Sequence, residues 1–156
     1  DVGGGKGTFV SELKKIHPKV DAAVFDLPGS HSETSGHRCI IGSFKEDELP
    51  AGYDIISLVR ILYDHRDKTI RDLLSKTYSA LDKGGRLIVS EPMLGADRPT
   101  LWGDVYFAMY TLAMSTGKTR SPDQVSEFIK DAGFSNVTIH KSARPFITTV
   151  IEARKT

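Results

Sequence analysis

Apolar positions along the chain alternate between short continuous runs and longer stretches with helical spacing, separated by polar or glycine- and proline-rich clusters. Phe9, Val10, Leu13 and Ile16 recur at helical spacing, and His17-Pro18 predicts the end of that helix. Val20 to Asp26 is a compact apolar run closed by Leu27-Pro28-Gly29, which predicts a buried strand. Ser30 to Gly36 is polar and reads as a loop, and Arg38 to Ile41 reads as the next strand. Tyr53 to Ile61, entered through Pro50-Ala51-Gly52, predicts another strand. Ile70, Leu73, Leu74, Tyr78 and Leu81 form one helical stripe, with Gly84 where a left-handed C-terminal cap is expected. Arg86 to Ser90 predicts a strand ending at Glu91-Pro92. Trp102, Val105, Tyr106, Met109, Leu112 and Ala113 form a second stripe, whose default role is core packing. Ser121-Pro122-Asp123-Gln124 reads as N-cap, first-turn proline and capping-box glutamine of a helix that buries Val125, Phe128 and Ile129 and stops at Gly133. Val137 to His140 and Phe146 to Ala153 predict two final strands.

Strands alternating with helices predict an α/β fold, a doubly wound and mostly parallel sheet with helices on both faces. The final two strands are joined by too few residues for a helical crossover, so they are expected to form an antiparallel hairpin. Asp1-Val2 reads as the end of a truncated first strand, and residues 1–156 as one domain.

Composition narrows the function classes. Apolar residues at 39% and charged residues at 26% suit a globular protein, and a net charge of +1 argues against nucleic acid as a partner. The single cysteine, Cys39, reads as a buried inert thiol and fits a reducing, cytoplasmic setting. There is neither an apolar run of spanning length nor the pattern of a signal peptide. His17, His31, His37 and His140 lack ligand spacing, so no metal site is expected.

The first turn carries the chemistry. Asp1-Val2-Gly3-Gly4-Gly5-Lys6-Gly7 places glycines where a strand meets a helix, letting a ligand approach the backbone and the helix amides. A nicotinamide fingerprint requires glycine or alanine three positions after the second glycine, where Thr8 stands. Asp1 suits a ligand bearing an ammonium better than a pyrophosphate, and Asp26, closing the next strand, suits the hydroxyls of a ribose. The pair describes an S-adenosylmethionine pocket; the plain alternative is a tight turn beside a solvated carboxylate.

With those residues in place the chain resembles the class I S-adenosylmethionine-dependent methyltransferases, and within them the small-molecule O-methyltransferase family. The likeness runs from Asp-Val-Gly-Gly-Gly at 1 to 5 and Phe-Asp-Leu-Pro at 25 to 28 through Gly-Gly-Arg-Leu at 84 to 87 and Glu91 to Gly-Lys-Thr-Arg at 117 to 120 and Ala-Gly-Phe at 132 to 134. The resemblance implies a seven-stranded sheet in the order 3-2-1-4-5-7-6 with strand 7 antiparallel, and an N-terminal helical domain, absent here, that forms a homodimer. It implies cofactor contacts at Asp1, Gly3, Gly5, Asp26 and Leu27, and at Gly42, Ser43, Phe44 and Arg60, with S-adenosylhomocysteine as product. Ser43 replaces an acid that many members place beside the adenine, and Phe44 packs on the purine or in the core.

Arg60-Ile-Leu-Tyr-Asp-His-Arg-Asp67 corresponds to the family's catalytic segment, normally written with His-Asp-Trp. Tyr63 stands at the histidine, Asp64 keeps the aspartate and His65 falls on the tryptophan. This variant, with Glu-Pro-Met at 91 to 93, most resembles the carotenoid hydroxyl methylases of the hydroxyneurosporene and demethylspheroidene type. The implied acceptor is a small hydrophobic hydroxylated molecule; a carotenoid would be collected from a membrane, which implies peripheral association.

Methyl transfer from a sulfonium is an in-line displacement that needs alignment, exclusion of water and a base for the hydroxyl proton. Tyrosine is a poorer base than histidine at neutral pH. Tyr63 is therefore expected to orient the hydroxyl while His65 or Asp64 removes the proton; the alternative for His65 is a packing residue. Asp104 and Glu91 are weaker candidates for substrate contact. Phe107, Met109, Tyr110 and Met114 are expected on the helix that roofs the pocket. Two rival readings stay open, a non-catalytic relative that binds the cofactor and an NAD-dependent dehydrogenase.

Overall fold

A computed structural model of the chain describes residues 1–30, 37–95, 101–144 and 147–156, with Trp102 described by its backbone alone. The expectations for residues 31–36, for Phe146 and for the Trp102 side chain lie outside the described residues. Helix α1 (Thr8–Ile16) leads to parallel strands β1 (Ala23–Asp26) and β2 (Arg38–Ile41). Strands β3 (Tyr53–Val59), β4 (Leu81–Glu91), β5 (Ser135–His140) and β6 (Thr149–Arg154) form a second sheet in the order β3-β4-β6-β5. β3 and β4 are parallel, whereas β6 runs antiparallel to both β4 and β5, the hairpin expected from the short connection. Of the expected first strand only Val2 pairs, bridging in parallel to Phe25 and Leu58 and so linking the two sheets.

Helices α2 (Asp67–Ala80) and α4 (Pro122–Asp131) cover the sheet. Ile70, Leu73 and Leu74 of α2 and Val125 and Ile129 of α4 join Leu58, Leu87, Val89 and Ile151 of the strands in one core. The Ser121-Gln124 box forms in full, the Ser121 hydroxyl accepting from the Gln124 amide and the Gln124 side chain accepting from the Ser121 amide.

Several expectations are corrected. Helix α2 ends at Ala80 because Leu81 turns extended and enters the sheet opposite Tyr53. Gly84 is left-handed (φ 81°) but lies within β4, where its amide and the Gly85 carbonyl are bonded to Lys155. Strand β3 stops at Val59 rather than Ile61 because Arg60 adopts φ 58°. Only Val10 of the α1 stripe is buried, and Cys39 is half-buried rather than buried. Burial and the Asp26 carboxylate push its thiol up, which keeps it protonated.

The largest change concerns the second stripe. A π-turn (Leu101–Val105) runs into α3 (Tyr106–Met114), and the residues expected inside face out. Met109 is 63% and Leu112 75% exposed, with Val105, Tyr106 and Met114 also at the surface. Apolar side chains occur all round this helix, so periodicity could not say which face points inward. Thr111 is buried instead, and Phe107 and Tyr110 pack against Tyr63.

Candidate active site

The site is assembled on the carboxyl side of β1, β2, β3 and β4. Gly3, Gly5 and Gly7 all have positive φ, which a residue with a Cβ adopts only under strain. The Gly3 amide donates to the Phe25 carbonyl (2.8 Å), and a side chain at 3 would collide with Ile61. The Asp26 carboxylate ties the turn to β1: Oδ2 accepts from the Gly5 amide (2.7 Å) and Oδ1 from the Leu27 amide (2.6 Å). Asp1 lies beneath the turn. Its Oδ1 accepts from the Ser57 hydroxyl (2.8 Å), and its Oδ2 is buried with no partner among the described residues.

Gly42 follows β2, its amide on the Asp26 carbonyl (2.9 Å) and its Cα against the Phe25 ring, where a side chain would not fit. The Ser43 amide donates to Asp47 Oδ2 (2.8 Å). Lys76 Nζ, reaching over from α2, donates to the Phe44 and Asp47 carbonyls at 3.1 and 2.7 Å. The Phe44 ring meets His65 edge-on, with centroids 5.2 Å apart.

After β3 the chain bends at Arg60 into a short 3-10 turn, Leu62–Asp64. Arg60 Nη2 donates to the Tyr63 hydroxyl (3.1 Å) and its guanidinium lies over that ring, 5.6 Å from the centroid. Tyr63 is buried, and burial pushes its phenol up to about 12, so it is neutral at physiological pH. Burial also pushes the Asp64 carboxyl up, against the opposing pull of Arg60 and of a hydrogen bond with Tyr63. Asp64 Oδ1 is buried with no partner among the described residues. The His65 ring packs edge-on against Phe44, and burial together with the charges of Lys45 and Arg120 lowers its pKa. Tyr63, Asp64 and Arg60 thus come together, while the ring contact of His65 is with Phe44.

Sequence reasoning gave little weight to Glu91 and none to Arg120 as a contact. Glu91 Oε1 accepts from the Ile61 and Leu62 amides at 2.7 and 2.8 Å, holding the 3-10 turn from behind. Asp104 accepts from the Gly95 amide (3.0 Å) and so ties Gly95, after β4, to the π-turn. Among the described residues no three metal-ligating side chains cluster, and no helix is long and apolar enough to cross a membrane.

The model of the O-methyltransferase domain family matches residues 1–135. The chain belongs to this family. Among O-methyltransferase-domain relatives, the demethylspheroidene O-methyltransferase of Rhodobacter capsulatus is 46% identical over 159 residues, covering 99% of this chain and 40% of that protein. That of Cereibacter sphaeroides is 39% identical over 163 residues, covering 98% and 43%. The crystal structure of human N-acetylserotonin methyltransferase in complex with SAM superposes with a TM-score of 0.86 at 30% identity, covering 99% of this chain and 46% of that one. PigF with SAH superposes with a TM-score of 0.87 at 29% identity, over 99% and 49%. The chain therefore spans less than half the length of each of these proteins.

Proposed function

We propose that this domain catalyses S-adenosylmethionine-dependent methylation of a hydroxyl on a small hydrophobic molecule, a carotenoid of the demethylspheroidene type. The observation that carries the reading is the Asp26 carboxylate locked to the Gly5 amide at the mouth of the glycine turn. Each Asp26 oxygen accepts one described bond and keeps a lone pair for a ribose hydroxyl. The left-handed Gly3 and Gly5 open the backbone to an aminoacyl group, with the negative charge of Asp1 beneath favouring its ammonium. Gly42, Ser43 and Phe44, with Leu27 and Arg60 at the flanks, frame the adenosine side. These residues fit the cofactor, which supplies an electrophilic methyl group on a sulfonium.

The rest of the chemistry belongs to the chain. Neutral Tyr63, held by Arg60, orients the acceptor hydroxyl, and Asp64 Oδ1 takes its proton as the oxygen attacks. Phe107 and Tyr110 pack beside Tyr63 and exclude water. His65, on the Phe44 side, serves the cofactor rather than the proton.

The sheet reading extends to the order 3-2-1-4-5-7-6 with Val2 standing for the central strand, which its bridges to Phe25 and Leu58 support. The apolar outer face of α3 and the greater length of the relatives support a homodimer covered by helices beyond residues 1–156, and peripheral contact with a membrane that holds the substrate.

Calorimetric titration of the intact protein with S-adenosylmethionine and with NAD tests the cofactor; binding of NAD alone would overturn the reading. With saturating cofactor, Asp64→Asn is expected to lower turnover by about 10²–10⁴-fold, whereas His65→Ala keeps turnover and weakens cofactor binding. Full turnover by Asp64→Asn would remove the base assignment. Cofactor binding without turnover on any hydroxylated acceptor would favour a non-catalytic relative, a reading prompted by Tyr63 at the usual histidine.

A further inference from the structure

Arg120 is 3% exposed, and a cation this deeply buried needs every donor matched. Nε (3.0 Å) and Nη2 both reach Asp67 Oδ1, so the charge is balanced by the first residue of α2. The other bonds go to main-chain carbonyls: Nη2 to His65 (2.9 Å), and Nη1 to Leu62 (3.3 Å) and Lys118 (2.6 Å). Beside it the Lys118 amide donates to the Tyr63 carbonyl (2.9 Å). Gly117 lies so close to that carbonyl and to the Asp64 backbone that a side chain at 117 would strike both.

Residues 61–67 make one 3-10 turn and the start of a helix, too little regular structure to hold a conformation alone. Glu91 grips the amides at one end of this stretch, and the 117–120 strip grips its carbonyls. Tyr63 and Asp64 sit between the two grips.

We propose that Arg120 is a positioning residue for methyl transfer: its guanidinium fixes the backbone of residues 62–67 and thereby the aim of Tyr63 and Asp64. The role rests on the methyl-transfer reading above. A lysine ammonium keeps the charge but presents its donors from one point, so it reaches Asp67 or the carbonyls and not all together. Geometry is then lost while the charge is kept, and displacement of a reactive group by an ångström costs about 100-fold in rate.

The test uses the intact protein and compares the parent with Arg120→Lys and Arg120→Ala. Arg120→Lys is expected to remain folded by circular dichroism and to bind S-adenosylmethionine within about threefold of the parent. Its kcat is expected to fall about 100-fold with little change in the acceptor KM. Added guanidinium ion at millimolar, non-denaturing concentration is expected to restore part of the kcat of Arg120→Ala and to leave Arg120→Lys unchanged. Amide exchange at Leu62, Asp64 and His65 should quicken in Arg120→Lys while the interior of α2 stays protected. A folded Arg120→Lys variant with the parent's kcat overturns the positioning role alone. So does a loss of kcat that only follows the unfolded fraction and resists rescue. A parent protein without affinity for S-adenosylmethionine overturns the methyl-transfer reading, and this role with it.

Discussion

Glu91 shows what one residue can hold in this fold. It is 2% exposed, its Oε1 takes the Ile61 and Leu62 amides, and its Oε2 has no partner among the described residues. Burial outweighs those amides and pushes its pKa from an ordinary 4.5 to about 8. Because the fold raises this pKa, the folded chain binds a proton that the unfolded chain has released between those values. The resulting stability is full below 4.5 and is lost as pH rises through about 8. Glu91→Gln, which cannot release that proton, is expected to remove this part of the pH dependence. Urea midpoints of parent and variant, measured at about pH 5 and about pH 8, should diverge in slope, and parallel slopes would count against a neutral Glu91. The sequence marked Glu91 as the end of a strand and a weaker candidate for substrate contact, because its burial depends on a turn thirty residues upstream folding over it.

Among the elements, legibility followed contrast between faces. Helix α4 has a capped start, a polar outer face and an apolar stripe, and it forms where those signals put it. Ser121→Ala should therefore cost about 1 kcal/mol of stability, read from the urea midpoint, since the Gln124 amide loses its acceptor. Helix α3 lacks that contrast: its register was legible, but its orientation was not. Phe107 and Tyr110 face inward because Tyr63 offers them a ring surface, a contact settled by tertiary packing. Arg60 left no local signal either. A left-handed arginine is not written in sequence, and it appears here because the chain must leave β3 sharply while its amide stays bonded to the Ser90 carbonyl.

For the whole molecule, the alternation of runs and stripes was enough to predict an α/β domain closed by an antiparallel hairpin. The glycine turn and Asp26 were legible as partners at one sheet edge, where the Gly5 amide donates to the Asp26 carboxylate, because both signals are local. The grip on residues 61–67 was not legible, since its parts come from β4 and from the strip before α4. The two sheets meet at Val2, packed beside a fully buried Leu58. Leu58→Ala should cost about 2–5 kcal/mol and lower the midpoint of thermal unfolding measured by calorimetry, because removing a fully buried side chain leaves a cavity in the core. The bare glycine at 117, pressed against the Tyr63 carbonyl, sets a rule for anyone reshaping acceptor choice by directed evolution. On the methyl-transfer proposal, libraries keep that position invariant and place their diversity at Phe107 and Tyr110, because a side chain at 117 would strike the Tyr63 carbonyl and the Asp64 backbone.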